Sequence, residues 1–515
     1  MNNCFNKPQY YRTELLKYRY FQTDISDKYQ GKSLMYAFLT RFCYCGCEFC
    51  FNRSQLPQEN CNISDQFSER GIENLIKFCE KANLGCLIIS GGGDPFIQKD
   101  HVLKLVERAK ADRIVLVTSG FWAKNIEQAE KVIKEVYSAY KARKQKCQLV
   151  IRISISSYHA KTLGIGCALN VVKIFDKAFR SDENFLLQLK TFDNDHAFEE
   201  FLKNLDFQNI SDPEENVSDN LILEKILRKR SILTLKSGFK IIVGFSEIFY
   251  TSVLPDLNTK STHLDHVVKT VEDDLNYSVR KSPATILNKD GKIGLNWSLY
   301  YNGNLCLWQS QARDTYQNIY EDDFDHAMFY HFNDPLIVSF VENGSDYRDA
   351  VIREISPRAV YRAKATGLRD RLGLYLLDDE RIRLYYMIRS IQDFINEGKI
   401  QKDCLKSNPE LSQMIKLDKE ELIKLYKEST YDMLQQEFNR PFDELNFHDF
   451  LCLIKLKHFD LSESRVNEAI NYYNTNTKNP KIKTLDDVKP REDCITYKRI
   501  GDRQMSIKTS LIAYK

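Results

Sequence analysis

Short apolar strands alternate with helical stretches along the first half of this 515-residue chain. The predicted strands are residues 36–40, 86–90, 113–118, 149–156, 185–189 and 240–245. The predicted helices between them include residues 68–82, 100–110, 125–142 and 167–179. Strands that alternate with helices indicate a parallel sheet, and strands that are apolar on both faces are typical of a sheet covered by helices. The sequence therefore predicts an α/β fold, either a parallel sheet or a partial, TIM-like (β/α)6 barrel, and we adopt the barrel as the predicted fold class.

The character of the sequence changes after residue 280. Short apolar segments at 285–287, 293–301 and 304–308 predict a small β-meander, since Asn302-Gly303 between the last two is a strong hairpin signal. Helical periodicity dominates from about residue 335, and the chain is too long for one compact core. We therefore predict an N-terminal extension without a clear element at 1–33, the partial barrel at 34–280, the β-meander extension at 281–334 and a helical C-terminal domain at 335–515.

The charge and the composition exclude several classes of partner. The chain has 74 basic and 71 acidic residues, a formal net charge of +3, which predicts no strong attraction to nucleic acid or membranes. It has no apolar run of the ~20 residues that span a bilayer, and no apolar signal-peptide core follows Met1. Most of the 14 cysteines are scattered, which is typical of reduced thiols. We expect a cytoplasmic protein.

One short segment carries Cys43, Cys47 and Cys50, which are separated by three and then two residues. Three thiolates with this spacing can hold three irons of a cubane iron–sulfur cluster, and the fourth iron is then left open to bind and reduce a small molecule. A structural zinc site or a chance cluster is the alternative. Zinc requires a fourth Cys or His ligand, and Cys45 is badly spaced for that role, so we interpret Cys45 as a bystander. No histidine is assigned a role.

Other candidate residues follow the later strands, at the edge of the sheet where the active groups of such folds gather. Gly91, Gly92, Gly93 and Asp94 follow the second strand. Glycines let the backbone approach a ligand closely, and the carboxylate can accept hydrogen bonds from a ligand's ammonium group. A tight turn between strand and helix is the alternative.

The fourth and fifth strands end in polar residues. Ser154 and Ser156 are two positions apart and are expected to point to the same face, because side chains alternate along a strand. Gln188 and Lys190 of the fifth strand are inward-pointing polar candidates. A layer of small residues that only fills space is the alternative for the two serines.

The cysteine segment resembles the signature of the radical S-adenosylmethionine (radical SAM) enzymes. The resemblance implies a [4Fe–4S] cluster on Cys43, Cys47 and Cys50, with S-adenosylmethionine chelated to the open iron. It implies that Phe49, which precedes the third cysteine, lies near the adenine. It also implies reductive cleavage to methionine and a 5′-deoxyadenosyl radical that abstracts hydrogen from the substrate, with a reductant such as ferredoxin or flavodoxin as partner.

Two further motifs extend this resemblance. Gly91–Asp94 is similar to the family's Gly-Gly-Glu-Pro motif, with Asp94 in place of the commoner Glu. The fourth strand is similar to the one that contacts the ribose or carboxylate of the cofactor. The resemblance therefore implies that Ser154 and Ser156, together with Gly91, Gly92, Gly93 and Asp94, bind S-adenosylmethionine.

The predicted meander resembles the opening of the cysteine-rich, SPASM-like extension of peptide-modifying members. It holds only Cys306, and Cys404, Cys452 and Cys494 are far apart, so a full auxiliary-cluster domain is not expected. A lone thiol donates a hydrogen atom in radical epimerases of this family, which implies this catalytic role for Cys306. Burial as an apolar side chain is the alternative.

Three functions remain open at this point. The first is a radical SAM enzyme that acts on a peptide or protein side chain, because a partner-binding domain fits in the residues after the meander. The second is a radical SAM enzyme that acts on a small molecule such as a nucleotide, sugar or cofactor precursor. The third is a non-catalytic protein that binds a metal or a cluster.

Overall fold

The computed structural model describes residues 3–21, 25–45, 47, 66–90, 92–192, 195–211, 229–250, 266–269, 282, 284–288, 290–307, 317–357, 360, 379–455, 459, 461–479 and 481–488. The strands in these ranges are β1 (Ser33–Ala37), β2 (Leu84–Ile89), β3 (Arg113–Thr118), β4 (Gln148–Ser154), β5 (Phe185–Phe192), β6 (Phe207–Ser211), β7 (Lys229–Leu235), β8 (Lys240–Tyr250), β9 (His266–Lys269), β10 (Thr285–Leu287), β11 (Ile293–Leu299) and β12 (Leu305–Leu307).

Fourteen helices accompany these strands in the described ranges. They are α1 (Pro8–Leu15), α2 (Glu69–Lys81), α3 (Lys99–Arg108), α4 (Ile126–Lys141), α5 (Ser157–Leu163), α6 (Gly166–Ala178), α7 (His196–Lys203), α8 (Phe324–Asn333), α9 (Pro335–Ile355), α10 (Glu380–Asn396), α11 (Pro409–Lys416), α12 (Lys419–Asn439), α13 (Glu444–Lys455) and α14 (Glu463–Asn476). None of the helices in the described part of the chain is long and apolar enough to cross a bilayer.

The strands form one large, mostly parallel sheet. Its order is β10-β11-β1-β2-β3-β4-β5-β8-β7-β6, with β12 also paired to β11 and β9 to β8. Every neighbouring pair from β11 to β8 in this order is parallel, whereas β10, β12, β7, β6 and β9 pair in the antiparallel sense. The predicted α/β fold is confirmed at this level. Curvature of the sheet into a partial barrel stays a prediction.

The helices α2, α3, α4 and α6 follow strands β1 to β4 and cover one face of the sheet. In α2 the buried residues Ile72, Leu75, Ile76 and Cys79 recur at the helical spacing, so one stripe of the helix faces the core. The helix begins where the side chain of Ser68 accepts a hydrogen bond from the N–H of Gly71 at 3.3 Å. The predicted boundaries of these helices and of the six main strands differ from the observed ones by a few residues.

The predicted meander is confirmed, and it is part of the main sheet. The strands β10, β11 and β12 pair in antiparallel order, and β11 also runs parallel to β1 with Ser298 opposite Tyr36. Trp297 of β11 is fully buried, with its ring 5.5 Å from that of Phe78 in α2. The chain therefore returns after β9 to extend the sheet on the far side of β1.

The N-terminal extension packs against the C-terminal helices. It contains α1, an element that the sequence does not predict. Phe5 is fully buried, and its ring lies 5.7 Å from that of Tyr426 in α12. Phe21 contacts Phe394 of α10 with ring centroids 5.3 Å apart. These contacts join the N-terminal segment to α10 and α12 in the main hydrophobic core, whereas buried apolar residues of α13 and α14 belong to a second cluster.

Candidate metal centre

The cysteine segment leaves the carboxyl end of β1 and is fixed there by Thr40. Thr40 is fully buried and forms bridges with Gln66 on one side and Gly92 on the other. Its Oγ1 accepts a hydrogen bond from the N–H of Phe42 at 3.1 Å. The start of the cysteine loop is therefore held by the neighbouring backbone before the first cysteine is reached.

The glycines after β2 lie directly against this loop. A Cβ atom at Gly93 would lie 2.6 Å from the backbone carbon of Phe42, and one at Gly92 would lie 2.6 Å from the carbonyl oxygen of Thr40. Gly92 also has φ +72°, a left-handed conformation that favours glycine. The N–H of Asp94 donates to the carbonyl of Phe42 at 2.8 Å. The two glycines therefore allow the turn to pack directly on the backbone of the cysteine loop. Gly91 lies outside the described residues.

Asp94 is buried and joins the ends of β2 and β3. Its carboxylate accepts hydrogen bonds from the Thr118 hydroxyl at 2.9 Å, from the Ser119 N–H at 2.8 Å and from the Ser119 hydroxyl at 2.6 Å. The N–H of Phe96 donates to it at 3.1 Å. Burial raises the pKa of Asp94, and these hydrogen bonds oppose that rise. The described contacts of Asp94 thus support the loop, and its contact with a ligand's ammonium group stays a prediction.

Three thiols lie close together in the loop. Cys45 is buried, and its N–H donates to Sγ of Cys43 at 3.5 Å. The hydrogen bond with Cys45 and burial raise the pKa of Cys43. The hydrogen bond with Cys43 lowers the pKa of Cys45, but a hydrogen bond with Cys47 and burial outweigh it and raise that pKa to about 12. Neutral thiols such as those of Cys43 and Cys45 are the groups that a metal ion deprotonates when it binds. The donor set therefore fits a thiolate-bound metal or cluster.

Helix α5 brings a histidine to the same place. A ring nitrogen of His159 and the Sγ atoms of Cys45 and Cys47 all lie within 4.8 Å of one another. The Nδ1 atom of His159 forms a hydrogen bond with Oγ of Ser156 at 2.7 Å. Burial lowers the pKa of His159 to about 4, so the imidazole is neutral at pH 7, the form that binds metals. Thr162 of the same helix donates to the carbonyl of Cys45 at 3.1 Å.

Sequence reasoning missed this grouping. It treated Cys45 as a bystander and gave His159 no role, yet the structure places both beside Cys47. The available signal was topological, because His159 follows β4 closely and the carboxyl ends of parallel strands meet at one edge of a sheet. Cys50 and Phe49 lie outside the described residues, so their predicted roles stay predictions.

The two serines predicted on the fourth strand occupy different settings. The strand ends at Ser154, which lies opposite Lys190 of β5. Ser156 is almost fully buried and caps the N-terminus of α5, where its Oγ accepts from the N–H of His159 at 3.4 Å. Ser156 therefore supports the histidine, and the contact of either serine with a cofactor stays a prediction.

The face of the sheet opposite α2, α3, α4 and α6 becomes polar toward the cysteine loop. Its apolar end is a buried cluster of Leu34, Cys86, Ile88, Val115, Val150 and Ile286. Two and four positions beyond Val150 on the same face come Arg152 and Ser154, because side chains alternate along a strand. Arg152 donates to Oε1 of Gln188 at 3.0 and 2.9 Å. The polar side chains of this face therefore lie toward the carboxyl ends of β4 and β5, the edge at which the cysteine loop also leaves the sheet.

Cys306 is fully buried in β12. It belongs to a small cluster with Phe38 and Tyr300, to which Tyr36 adds partly buried surface. Phe38 lies in the segment between β1 and the cysteine loop, so the cluster adjoins the base of the loop. These surroundings match those of an apolar core cysteine. The hydrogen-donor role of Cys306 stays a prediction.

A family model described as a 4Fe-4S single cluster domain matches residues 29–149. The matched range includes the three predicted cluster ligands and the glycine turn that packs on them. Of the other cysteines described in that range, Cys79, Cys86 and Cys147 are buried in hydrophobic clusters. No curated protein matches the chain. The family match supports a 4Fe–4S-binding family for this region and a [4Fe–4S] cluster as its cofactor.

Proposed function

We propose that this protein is a radical SAM enzyme in which Cys43, Cys47 and Cys50 hold a [4Fe–4S] cluster. When bound, the cluster and S-adenosylmethionine together supply a 5′-deoxyadenosyl radical, formed with methionine by one-electron reduction, that abstracts hydrogen from the substrate. The observation that carries the proposal is the packing of the Gly92–Asp94 turn on the cysteine loop within a region matched by a 4Fe–4S model. Cysteines grouped by chance would not require a neighbouring turn to pack on their loop.

The residues of this chain have distinct tasks in the proposal. Gly92 and Gly93 let the two loops touch, and Asp94 fixes the second loop to the end of β3. Arg152 and Gln188 are hydrogen-bonded to each other on the sheet face opposite the helices, and in the proposal they orient a polar ligand. Fixed polar groups of this kind position reactants with little reorganisation. Ser154 and Ser156 are the further candidates for contact with S-adenosylmethionine.

We infer a peptide or protein side chain as the substrate. The support is the β-meander that extends the sheet beside β1, followed by the helices α8 to α14, which together offer a large surface for a partner. A small molecule such as a nucleotide, sugar or cofactor precursor is the second candidate, favoured by the polar pair Arg152 and Gln188. Ferredoxin or flavodoxin is the proposed reductant in either case.

Replacing Cys43 with alanine tests the chemistry. We expect the wild-type chain, reconstituted with iron and sulfide without oxygen, to release 5′-deoxyadenosine when it is given dithionite and S-adenosylmethionine. The Cys43→Ala variant should bind less iron and release 5′-deoxyadenosine only at the background level, because one of three thiolate ligands is lost. Mass spectrometry of the nucleoside measures the product.

Cys404→Ala is the matched control, since Cys404 is a half-buried free cysteine between α10 and α11. It should retain the iron content and the product yield of the wild type. If Cys43→Ala releases as much 5′-deoxyadenosine as the wild type, the proposed function is wrong. A mass change in an added peptide, compared with an added nucleotide or sugar, distinguishes the two substrate classes.

A further inference from the structure

At the cysteine loop, the Sγ atoms of Cys45 and Cys47 and a ring nitrogen of His159 are close enough together to bind one metal ion. In a tetrahedral site with Zn–S of about 2.3 Å and Zn–N of about 2.0 Å, the ligand atoms lie about 3.5 to 3.8 Å apart. The Sγ atoms of Cys45 and Cys47 and a ring nitrogen of His159 lie within 4.8 Å of one another, so small side-chain movements complete such a site. The ligands of a cubane cluster bind different irons and lie farther apart. The observed trio therefore matches a single ion better than a cluster.

A second observation concerns the support of the histidine. Ligating histidines almost always hydrogen-bond through the second ring nitrogen, which fixes the ring and its tautomer. Here Nδ1 of His159 is bonded to Oγ of Ser156 at 2.7 Å, and Ser156 is almost fully buried at the start of α5. Thr162, from the same helix, holds the carbonyl of Cys45 at 3.1 Å. One helix thus positions both a ligand side chain and the backbone of a second ligand.

We propose that Cys45, Cys47 and His159 form a binding site for one zinc-like divalent ion, with a fourth position open to solvent or an added ligand. Two thiolates and an imidazole are ligands that zinc prefers over calcium or magnesium. The site shares Cys47 with the cluster proposed above. If that function holds, the ion and the cluster exclude each other, and the bound ion keeps the protein in a form that cannot start radical chemistry.

Cobalt is the probe for this site, because tetrahedral Co²⁺ bound to thiolates absorbs strongly in the visible and near-ultraviolet. We expect the full-length protein without cluster, kept reduced and without oxygen, to bind Co²⁺ with these bands. Cys45→Ser and His159→Gln should each weaken Co²⁺ binding by about 10-fold or more, because each removes one of three ligands. Cys50→Ser should retain Co²⁺ binding while it loses the cluster.

Two results would contradict the proposed ion site. One is Co²⁺ binding by Cys45→Ser and His159→Gln that equals that of the wild type. The other is loss of Co²⁺ binding in Cys50→Ser, since the ion would then occupy the cluster ligands. These results are independent of the 5′-deoxyadenosine assay, so failure of the proposed function and failure of the ion site are separate outcomes. Zn²⁺ added before iron and sulfide should slow cluster assembly in the wild type and not in Cys45→Ser.

Replacing Ser156 with alanine tests the support of the histidine. The variant loses the hydrogen bond to Nδ1 of His159, and we expect Co²⁺ binding to weaken by about 10-fold. Asn125→Ala is the matched control, because it removes the side-chain cap of α4, where Asn125 accepts from the N–H of Gln128 at 2.8 Å. The control should lose thermal stability and keep the wild-type affinity for Co²⁺. Equal affinities in the two variants would mean that Ser156 has no part in the site.

Discussion

Gly93→Ala is expected to abolish stable binding of the [4Fe–4S] cluster and to lower the free energy of unfolding by about 2 kcal/mol or more, in line with overpacking of a close contact. A Cβ at this position would lie 2.6 Å from both the backbone N and the carbonyl carbon of Phe42. Backbone atoms cannot move aside as a flexible side chain does. The turn must therefore shift away from the cysteine loop and break the 2.8 Å hydrogen bond from the N–H of Asp94 to Phe42.

The measurements are iron and sulfide per chain after reconstitution, and urea unfolding of the protein without cluster. Gly166→Ala is the control, since a Cβ there meets nothing within 4 Å and the residue is the first of helix α6. Alanine favours a helix over glycine, so this control should be neutral or slightly stabilising. Normal iron and sulfide in Gly93→Ala would contradict the idea that this contact shapes the cluster-binding loop.

Asp94→Ala is expected to have a similarly large effect for a different reason. It leaves the hydroxyls of Thr118 and Ser119, and the N–H groups of Ser119 and Phe96, without their buried acceptor. Each buried donor left unpaired costs about 1 to 3 kcal/mol, so we expect a loss of about 3 kcal/mol or more in the free energy of unfolding. The ends of β2 and β3 then separate, and we expect the iron content after reconstitution to fall with them.

Asp182→Ala separates loss of stability from loss of the site. Asp182 accepts from the N–H groups of Asn184 and Phe185 at 3.0 Å each and from the Tyr137 hydroxyl at 3.0 Å, at the start of β5. That is the opposite edge of the sheet from the cysteine loop. This variant should lose stability in urea unfolding and still bind iron and sulfide. If Asp94→Ala also binds them normally, Asp94 serves the fold alone.

The parts of the fold that depend on neighbouring residues were predicted well. Helix α2 was expected at 68–82 and is found at Glu69–Lys81, because its apolar residues recur with the helical period. The strand β3 was expected and found at Arg113–Thr118. The β-meander also followed from local turn signals.

The parts that depend on distant residues were not predicted. Local turn signals contain no information on the partner of β11, which pairs in parallel with β1, although the strand before the meander, β9, pairs with β8 on the far side of the sheet. The element α1 is short and is stabilised by packing of the N-terminal segment on α10, so its own sequence is a weak signal. Asp94 was expected near a ligand, and its partners in the structure include Thr118, the last residue of β3, and Ser119, which follows it.

The sequence by itself determined which candidate ligand groups this protein carries, because three thiols on one short segment and a glycine turn after the next strand are local features. It also determined the order of strands and helices that brings both loops to the same edge of the sheet. Only the tertiary structure decided that the glycines serve the cysteine loop, and that Cys45 and His159 join Cys47. The physical reason is distance along the chain: the hydrogen bond between α5 and Cys45 joins residues 117 positions apart, and such contacts exist only after the sheet has formed.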